Sequence, residues 1–184
     1  MAKIGLNSFR YSVLTEGVDG TPTYDGAKTP AKAISCNVSI SNNEAKLFAD
    51  DILAESDTSF QSGTCSIGID DEDQATMAEL LGHSVDSQTG VMKRNADDVA
   101  PYVGFGRIIK KMVGGVIKWK VEFLYKVKFA EPTQENSTQG ENLEFGTSTL
   151  EGQILTLANG DWSESKTFDT KADALTFLEG LMAE

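Results

Sequence analysis

The sequence is poor in the residues from which most catalytic and metal sites are built. It holds one histidine, two cysteines and four prolines in 184 residues. The lone His83 excludes any site that needs two imidazoles. No Ser, Cys or Asp near it forms a nucleophile motif, so it reads as a turn residue following a helix. Cys36 and Cys65 lie far apart without C-x-x-C spacing, each on the apolar face of an expected strand. Two buried, reduced thiols are expected there rather than a metal site or a redox pair, and a disulfide between them stays open. Long apolar runs are also missing, so no segment is expected to span a membrane. The opening "MAKIGLNSFRYSV" has no apolar core of signal-peptide length, so secretion is not expected. No poised carboxylate pair stands out, and no enzyme, cofactor or metal function is expected.

What is present is acid. The formal net charge is −12, with 40% hydrophobic and 24% charged residues, an ordinary globular balance. The length suits one domain over residues 1–184 with a substantial core. The charge is uneven. Residues 103–130 carry seven basic residues and one acid, net +6, while the remainder carries nine basic and 27 acidic residues, net −18. A basic segment in an acidic protein suits nucleic-acid binding or self-complementary assembly.

That basic segment contains "GGVIKWKVEFLYKVKFAEP", residues 114–132. Trp119, Val121, Phe123, Tyr125, Val127 and Phe129 alternate with Lys118, Lys120, Glu122, Leu124, Lys126 and Lys128. The period of two predicts a strand with one apolar and one lysine-rich face. Platforms for nucleic acid place aromatics beside the basic residues, whereas these aromatics lie opposite and read as core. A solvated face, or a contact with another protein, explains the lysines better.

Elsewhere the pattern predicts a mainly β chain with two flanking helices, a β-sandwich or open barrel. Residues 9–15 read as a first strand, followed by a turn-rich irregular hairpin with Asp19-Gly20 and Asp25-Gly26. In "AISCNVSIS", Ile34, Cys36, Val38 and Ile40 alternate with polar residues. Residues 42–59, "NNEAKLFADDILAESDTS", are acidic with an apolar knot at Leu47-Phe48 and read as a long loop, or a loop with a short extension. "FQSGTCSIGI" is strand-like. "DDEDQATMAELLG" predicts a helix capped by Asp70 or Asp71, with Met77, Leu80 and Leu81 inward and Gly82 at its end. Its four consecutive acids lack the alternating calcium-loop pattern. "VDSQTGVMKR" reads as a short hairpin. "GFGR" at 104–107 lacks the remaining parts of a phosphate loop and reads as a bulge or close backbone approach. Two long strands meet at Gly114-Gly115, and residues 131–142 are polar and turn-prone. Two more strands turn at Asn159-Gly160. A terminal helix over about 170–182 opens on Thr170 and Asp173, with Ala174, Leu175, Leu178, Leu181 and Met182 on one face.

Taken in order, these segments resemble the major tail tube proteins of bacteriophages with long, non-contractile tails. The resemblance rests on "DG…Y" (Asp19 to Tyr24), an alternating strand, and Phe48-Ala49-Asp50-Asp51 in place of a "YADD"-like loop. It continues through Leu80-Leu81-Gly82, Asp86 and Gly90, Ala100-Pro101 with Val103-Gly104 and Gly106, Tyr125-Lys126-Val127 with Phe129, Thr149 to Gly152, and "GDW" ending at Trp162. It covers nearly the whole chain. Each motif is weak alone, and their order carries the likeness.

The resemblance implies a structural virion protein, not an enzyme. Its copies would form hexameric rings that stack head-to-tail into a hollow tail tube conducting DNA without specific binding. It implies a tape-measure protein and a tail terminator as partners, assembly in the host cytoplasm, and residence in the virion tail. Candidate assembly residues are Leu47, Phe48, Asp50, Asp51, Glu55 and Asp57 in the acidic loop, and Lys118, Lys120, Lys126 and Lys128 on the basic strand. The lysines are expected to face away from a bore that must not grip phosphate, with a neighbour's acidic loop as candidate partner. The rival reading is a monomeric β-sandwich module that recognises protein or carbohydrate.

Overall fold

The computed structural model describes residues 2–49, 52–71, 73–133 and 148–183, with the backbone alone at 47–49 and 52–54. The described chain is mainly β, with two helices. In order it forms β1 (Ala2–Glu16), β2 (Pro22–Tyr24), β3 (Ala33–Ala49), β4 (Ile52–Ile69), α1 (Gln74–Leu81), β5 (Ser84–Val85) and β6 (Met92–Lys93). There follow β7 (Val103–Val113), β8 (Val116–Phe129), β9 (Ser148–Leu155), β10 (Ser163–Phe168) and α2 (Lys171–Gly180). Among the described residues, one antiparallel sheet runs β2-β1-β7-β8-β9-β4-β3, with β10 also on β8, and β5-β6 form a separate hairpin.

The sheet curls on itself. Arg107 of β7 donates to the carbonyl of Cys36 in β3 at 3.2 Å, although three strands separate the two in the sheet order. The concave side is filled by Phe9, Tyr11, Cys65, Ile67, Phe105, Val127, Phe129, Leu150 and Ile154, and by Met77, Leu80 and Leu81 of α1. On the other side Ala174 and Leu178 of α2, with Met182 just beyond it, cover Leu14, Tyr24, Ile108, Val121 and Phe123. Burying an apolar side chain of this size contributes about 1.5–3 kcal/mol, so two cores, one on each face, hold the sheet and fix its helices.

Strand β8 belongs to both cores, which corrects the single lysine face expected for it. Val103 pairs with Val127 and Phe105 with Leu124, so three steps of β8 match two of β7. This bulge lets Leu124 and Val127 share the concave core, whereas Val121 and Phe123 face α2. The lysines are divided with it. Lys118 and Lys120 lie on one side of the sheet, and Lys126 and Lys128 on the other beside Tyr102. Pairing splits at the same place. β10 takes the Trp119–Leu124 half of β8 and β9 the Lys126–Phe129 half, so the turn at Asn159-Gly160 joins strands that do not pair with each other.

Several local expectations hold and one shifts. The β7–β8 turn uses Gly114 and Gly115 at φ 58° and 81°, conformations that favour glycine. Gly82 ends α1 in the left-handed region, and Thr170 caps α2 by accepting from the Asp173 backbone N–H. The cap of α1 is Asp73, not Asp70 or Asp71; its carboxylate accepts from Thr76 N at 3.1 Å. Asp73 is the last acid of the run before the helix, so it alone reaches the third amide of the first turn. The glycines of "GFGR" mark close approaches, Gly104 to Tyr24 and Phe123, and Gly106 to Leu178. Of the polar stretch 131–142, residues 134–142 lie outside the described residues.

Candidate functional site

The segment expected as a loop at 42–59 is strand. β3 and β4 pair from Asn42↔Phe60 to Ala49↔Ile52, with one register shift between Leu47 and Phe48. β9 joins β4 only over Gly63–Ile69, so beyond that point the two strands pair only with each other among the described residues. Residues 41–46 and 55–59 are exposed on both faces. The result is a two-stranded arm reaching roughly 25 Å past the body, at about 3.3 Å per residue. Over residues 41–46 and 55–59 its strands show no hydrophobic alternation because neither face is buried there, which is why the pattern reads as loop. The root is fixed by Phe60, whose ring stacks on Trp162 at 5.1 Å between centroids and 14° between planes.

The arm carries Glu44, Lys46, Asp50, Asp51, Glu55 and Asp57, five acids to one base. Glu55 stands opposite Leu47 in the register and Asp57 opposite Ala45; Phe48 stands opposite Leu53. Asp50 and Asp51 lie outside the described residues, as do the side chains of Leu47 and Phe48. Among the described residues, the structure brings the acidic candidates Glu55 and Asp57 onto one ribbon with Glu44. The lysine candidates are on another element, and the two sets do not meet within one chain among the described residues.

The lysines are occupied locally. Lys118 pairs with Asp169, and Lys120 with Glu122. Lys126 meets Glu16 at 2.6 Å and lies 4.4 Å from the Tyr102 ring centre, which Lys128 also approaches, at 5.5 Å. At Glu122, burial works against the charge. Hydrogen bonds from Lys120 and Arg107 outweigh it and hold the carboxyl below its ordinary range.

A second extension comes from β1, β7 and β8, at the same end of the strands as the arm, because β3 runs parallel to β7 and β4 parallel to β8. The start of β1 and the β7–β8 turn form a tongue of three strands, with Ala2 opposite Met112 and Met112 opposite Ile117. It carries Lys3, Lys110, Lys111, Lys118 and Lys120 and, over residues 2–7 and 108–121, no acid. Burial, and then the Lys120 charge, pull Lys111 below the usual lysine range. Ile4, Met112, Val116 and Ile117 are 41–56% exposed there. The charge count of 103–130 signals this surface, but its apolar tip does not show in the alternation.

Between β3, β8 and β10 lies a cleft of about 270 Å³ lined by Val38, Phe105, Arg107, Glu122, Trp162 and Glu164, among others. Arg107 reaches Glu122 through Nε at 2.9 Å and Nη2 at 2.6 Å, and its Nη1 lies 2.9 Å from Cys36 Sγ. Cys65 Sγ is 4.0 Å from Cys36 Sγ. Sequence spacing gave no sign of this group, since curling of the sheet assembles it.

His83 is more than a turn residue. Its Nδ1 is 2.7 Å from Asp98, and Nε2 bonds Glu131, so it ties the end of α1 to two later segments. Among the described residues no cluster of His, Cys, Asp and Glu could hold a metal ion, and no helix is long and apolar enough to cross a membrane. No family model matches the chain, and no curated protein matches it in sequence.

Proposed function

We propose that the protein is a structural subunit that polymerises into the hollow tail tube of a long-tailed phage or phage-like particle. The observation that carries this reading is the arm at 42–60. An isolated two-stranded ribbon is marginal in water. A long ribbon whose described side chains, at 41–46 and 55–59, are all exposed is best explained by a surface on another molecule that receives it. The basic tongue offers such a surface on a second copy. Acid on one extension and lysine with apolar side chains on another make a head-to-tail contact self-complementary, and repetition of such a contact builds rings or filaments. The acidic remainder suits a conduit that must pass DNA without holding it. Six-fold rings, the tape-measure and terminator partners, and a virion location follow only from the sequence resemblance and form part of the proposal.

Negative-stain microscopy of the concentrated protein tests it, beside a variant in which residues 44–57 are replaced by Asn-Gly. The expected result is rings or tubes for the full chain. The shortened chain should remain a folded monomer. Monodisperse monomers of the full chain across salt and concentration would refute the proposal. The cleft favours the rival, a monomeric binding module, because it joins an aromatic wall to paired charges. That reading requires a ligand whose binding survives removal of the arm.

A further inference from the structure

We propose that Cys36 and Cys65 form a reversible thiol–disulfide pair at the root of the arm, oxidised by hydroperoxides, with Cys36 attacking and Cys65 resolving. The inference rests on the fold and is independent of the assembly reading. It also reverses the expectation from spacing that the two cysteines have no redox role.

Four observations carry it. The two sulfurs are 4.0 Å apart, although 29 positions separate the residues. Cys36 is half-buried and Cys65 wholly buried, so an oxidant reaches the first and not the second. The Arg107 guanidinium lies 2.9 Å from Cys36 Sγ and is itself held by two bonds to Glu122, so a cation stands fixed beside the outer sulfur. The charged cleft beside this group is lined by Arg107 and Val38 and not by Cys36 itself, so it brings a polar small molecule to the Arg107 guanidinium that contacts the Cys36 sulfur. The hydrogen bond from Cys65, aided by the Arg107 charge, outweighs burial and lowers the Cys36 thiol; the same pairing and burial raise that of Cys65. A thiolate beside a fixed cation, with a second thiol in reach, is the arrangement of a peroxide-sensitive cysteine.

The chemistry balances with hydrogen peroxide as oxidant. The Cys36 thiolate attacks one peroxide oxygen, the O–O bond breaks, and hydroxide leaves, giving Cys36 sulfenic acid. The Cys65 thiol then attacks the Cys36 sulfur. The S–S bond forms, the S–O bond breaks, and the sulfenic hydroxyl leaves as water with the proton from Cys65. Two thiol sulfurs are oxidised and one peroxide is reduced.

The register determines how lasting the bond is. Val38 lies opposite Cys65, and Cys36 opposite Ile67, so the cysteines are diagonal neighbours. Diagonal positions on an antiparallel pair stand about 7–8 Å apart, wider than a relaxed disulfide spans. A disulfide closed here is therefore readily reduced, which suits a reversible link between β3 and β4.

The test uses the full, dithiothreitol-reduced chain at low concentration. It is exposed to hydrogen peroxide, quenched, denatured, treated with iodoacetamide and weighed by intact mass spectrometry. The wild-type protein should lose two hydrogens, about 2 Da, accept no carbamidomethyl group, and recover both thiols with reduced glutathione. Cys36→Ser should leave Cys65 alkylatable, because the buried thiol is not attacked. Cys65→Ala should stop at a Cys36 sulfenic acid that dimedone traps. Arg107→Gln should slow the wild-type reaction at neutral pH and move its pH midpoint upward. The proposal is overturned if wild-type protein keeps two alkylatable thiols, gains only oxygen at Cys36, or forms only intermolecular disulfides. It is equally overturned if Cys36→Ser leaves Cys65 as readily oxidised as before.

Discussion

Replacing Gly104 with alanine isolates the packing that joins the sheet to its outer layer. Gly104 has no positive φ, so alanine fits the backbone and acts only through its methyl group. That carbon would stand 2.6 Å from Cε1 of Tyr24 and 2.7 Å from Cζ of Phe123. Ordinary carbon contacts lie near 3.5–4.0 Å, so both rings must retreat by roughly 1 Å. Neither has room. Tyr24 is 8% exposed and Phe123 0%. Their rings meet edge to face at 5.5 Å, and the Tyr24 hydroxyl donates to the Tyr125 carbonyl at 3.0 Å. Overpacking a core costs about 1–3 kcal/mol, loss of the ring pair about 0.5–1.5, and weakening of the hydroxyl bond about 0.5–1.5. One retreat relieves the first cost at the expense of the others, so the terms overlap and a loss of about 2–4 kcal/mol is expected.

Urea unfolding followed by tryptophan fluorescence reads this loss. Gly5→Ala is the control, because no atom lies within 4 Å of the added carbon; it should change stability by under about 0.5 kcal/mol. Phe123→Leu is the partner. It is destabilising alone, but it removes Cζ, one of the two ring atoms that crowd the new methyl. The double variant should therefore be at least about 1 kcal/mol more stable than the two single losses added together. A Gly104→Ala protein as stable as wild type would refute the reasoning, as would simple additivity in the cycle.

Three further outcomes follow from single sites. The Asp98 hydrogen bond, and behind it that of Glu131, raise His83 above its ordinary value against the effect of burial. Its contribution is full below the unfolded pKa near 6.5 and is lost as pH rises through the folded value. The urea midpoint of wild type relative to His83→Gln should thus fall on going from mildly acidic to alkaline pH, and a flat difference would count against it; the lowered pKa of Asp98 acts only in stronger acid. Lys126 is 13% exposed between Glu16 and Tyr102. Lys126→Glu should cost the monomer about 1–3 kcal/mol in urea unfolding, and an unchanged midpoint would show that these contacts contribute little. Ser12 is fully buried, and its hydroxyl has no partner among the described residues. Ser12→Ala should therefore leave stability unchanged or raise it by about 1 kcal/mol, and a loss would mean that the hydroxyl is satisfied in solution.

Sequence periodicity reports burial, and it fails in this chain where burial and strand geometry part company. "AISCNVSIS" is legible as a strand because one face meets the core and the other meets water. The arm continues that strand and its partner, yet at 41–46 and 55–59 it loses the period because both faces meet water. Its β character is carried by backbone pairing, to which side-chain alternation is blind. β8 fails in the opposite way. Its alternation runs unbroken from Trp119 to Phe129, but an extra residue near Tyr125 and Lys126 turns the second half over. The sign of this was Leu124, an apolar residue on a face otherwise charged. It belongs to the concave core with Val127, and the lysines on either side of it therefore lie on opposite faces of the sheet. The helices were legible to within a residue or two because caps are local chemistry: Thr170 with Asp173, and Gly82. The Cys36–Cys65–Arg107–Glu122 group was not legible at all. Its members come from β3, β4, β7 and β8, and only the curl of the sheet brings β3 across to β7. A lone cysteine on an alternating strand therefore says little about reactivity; the second sulfur and the guanidinium that other strands bring to it matter more.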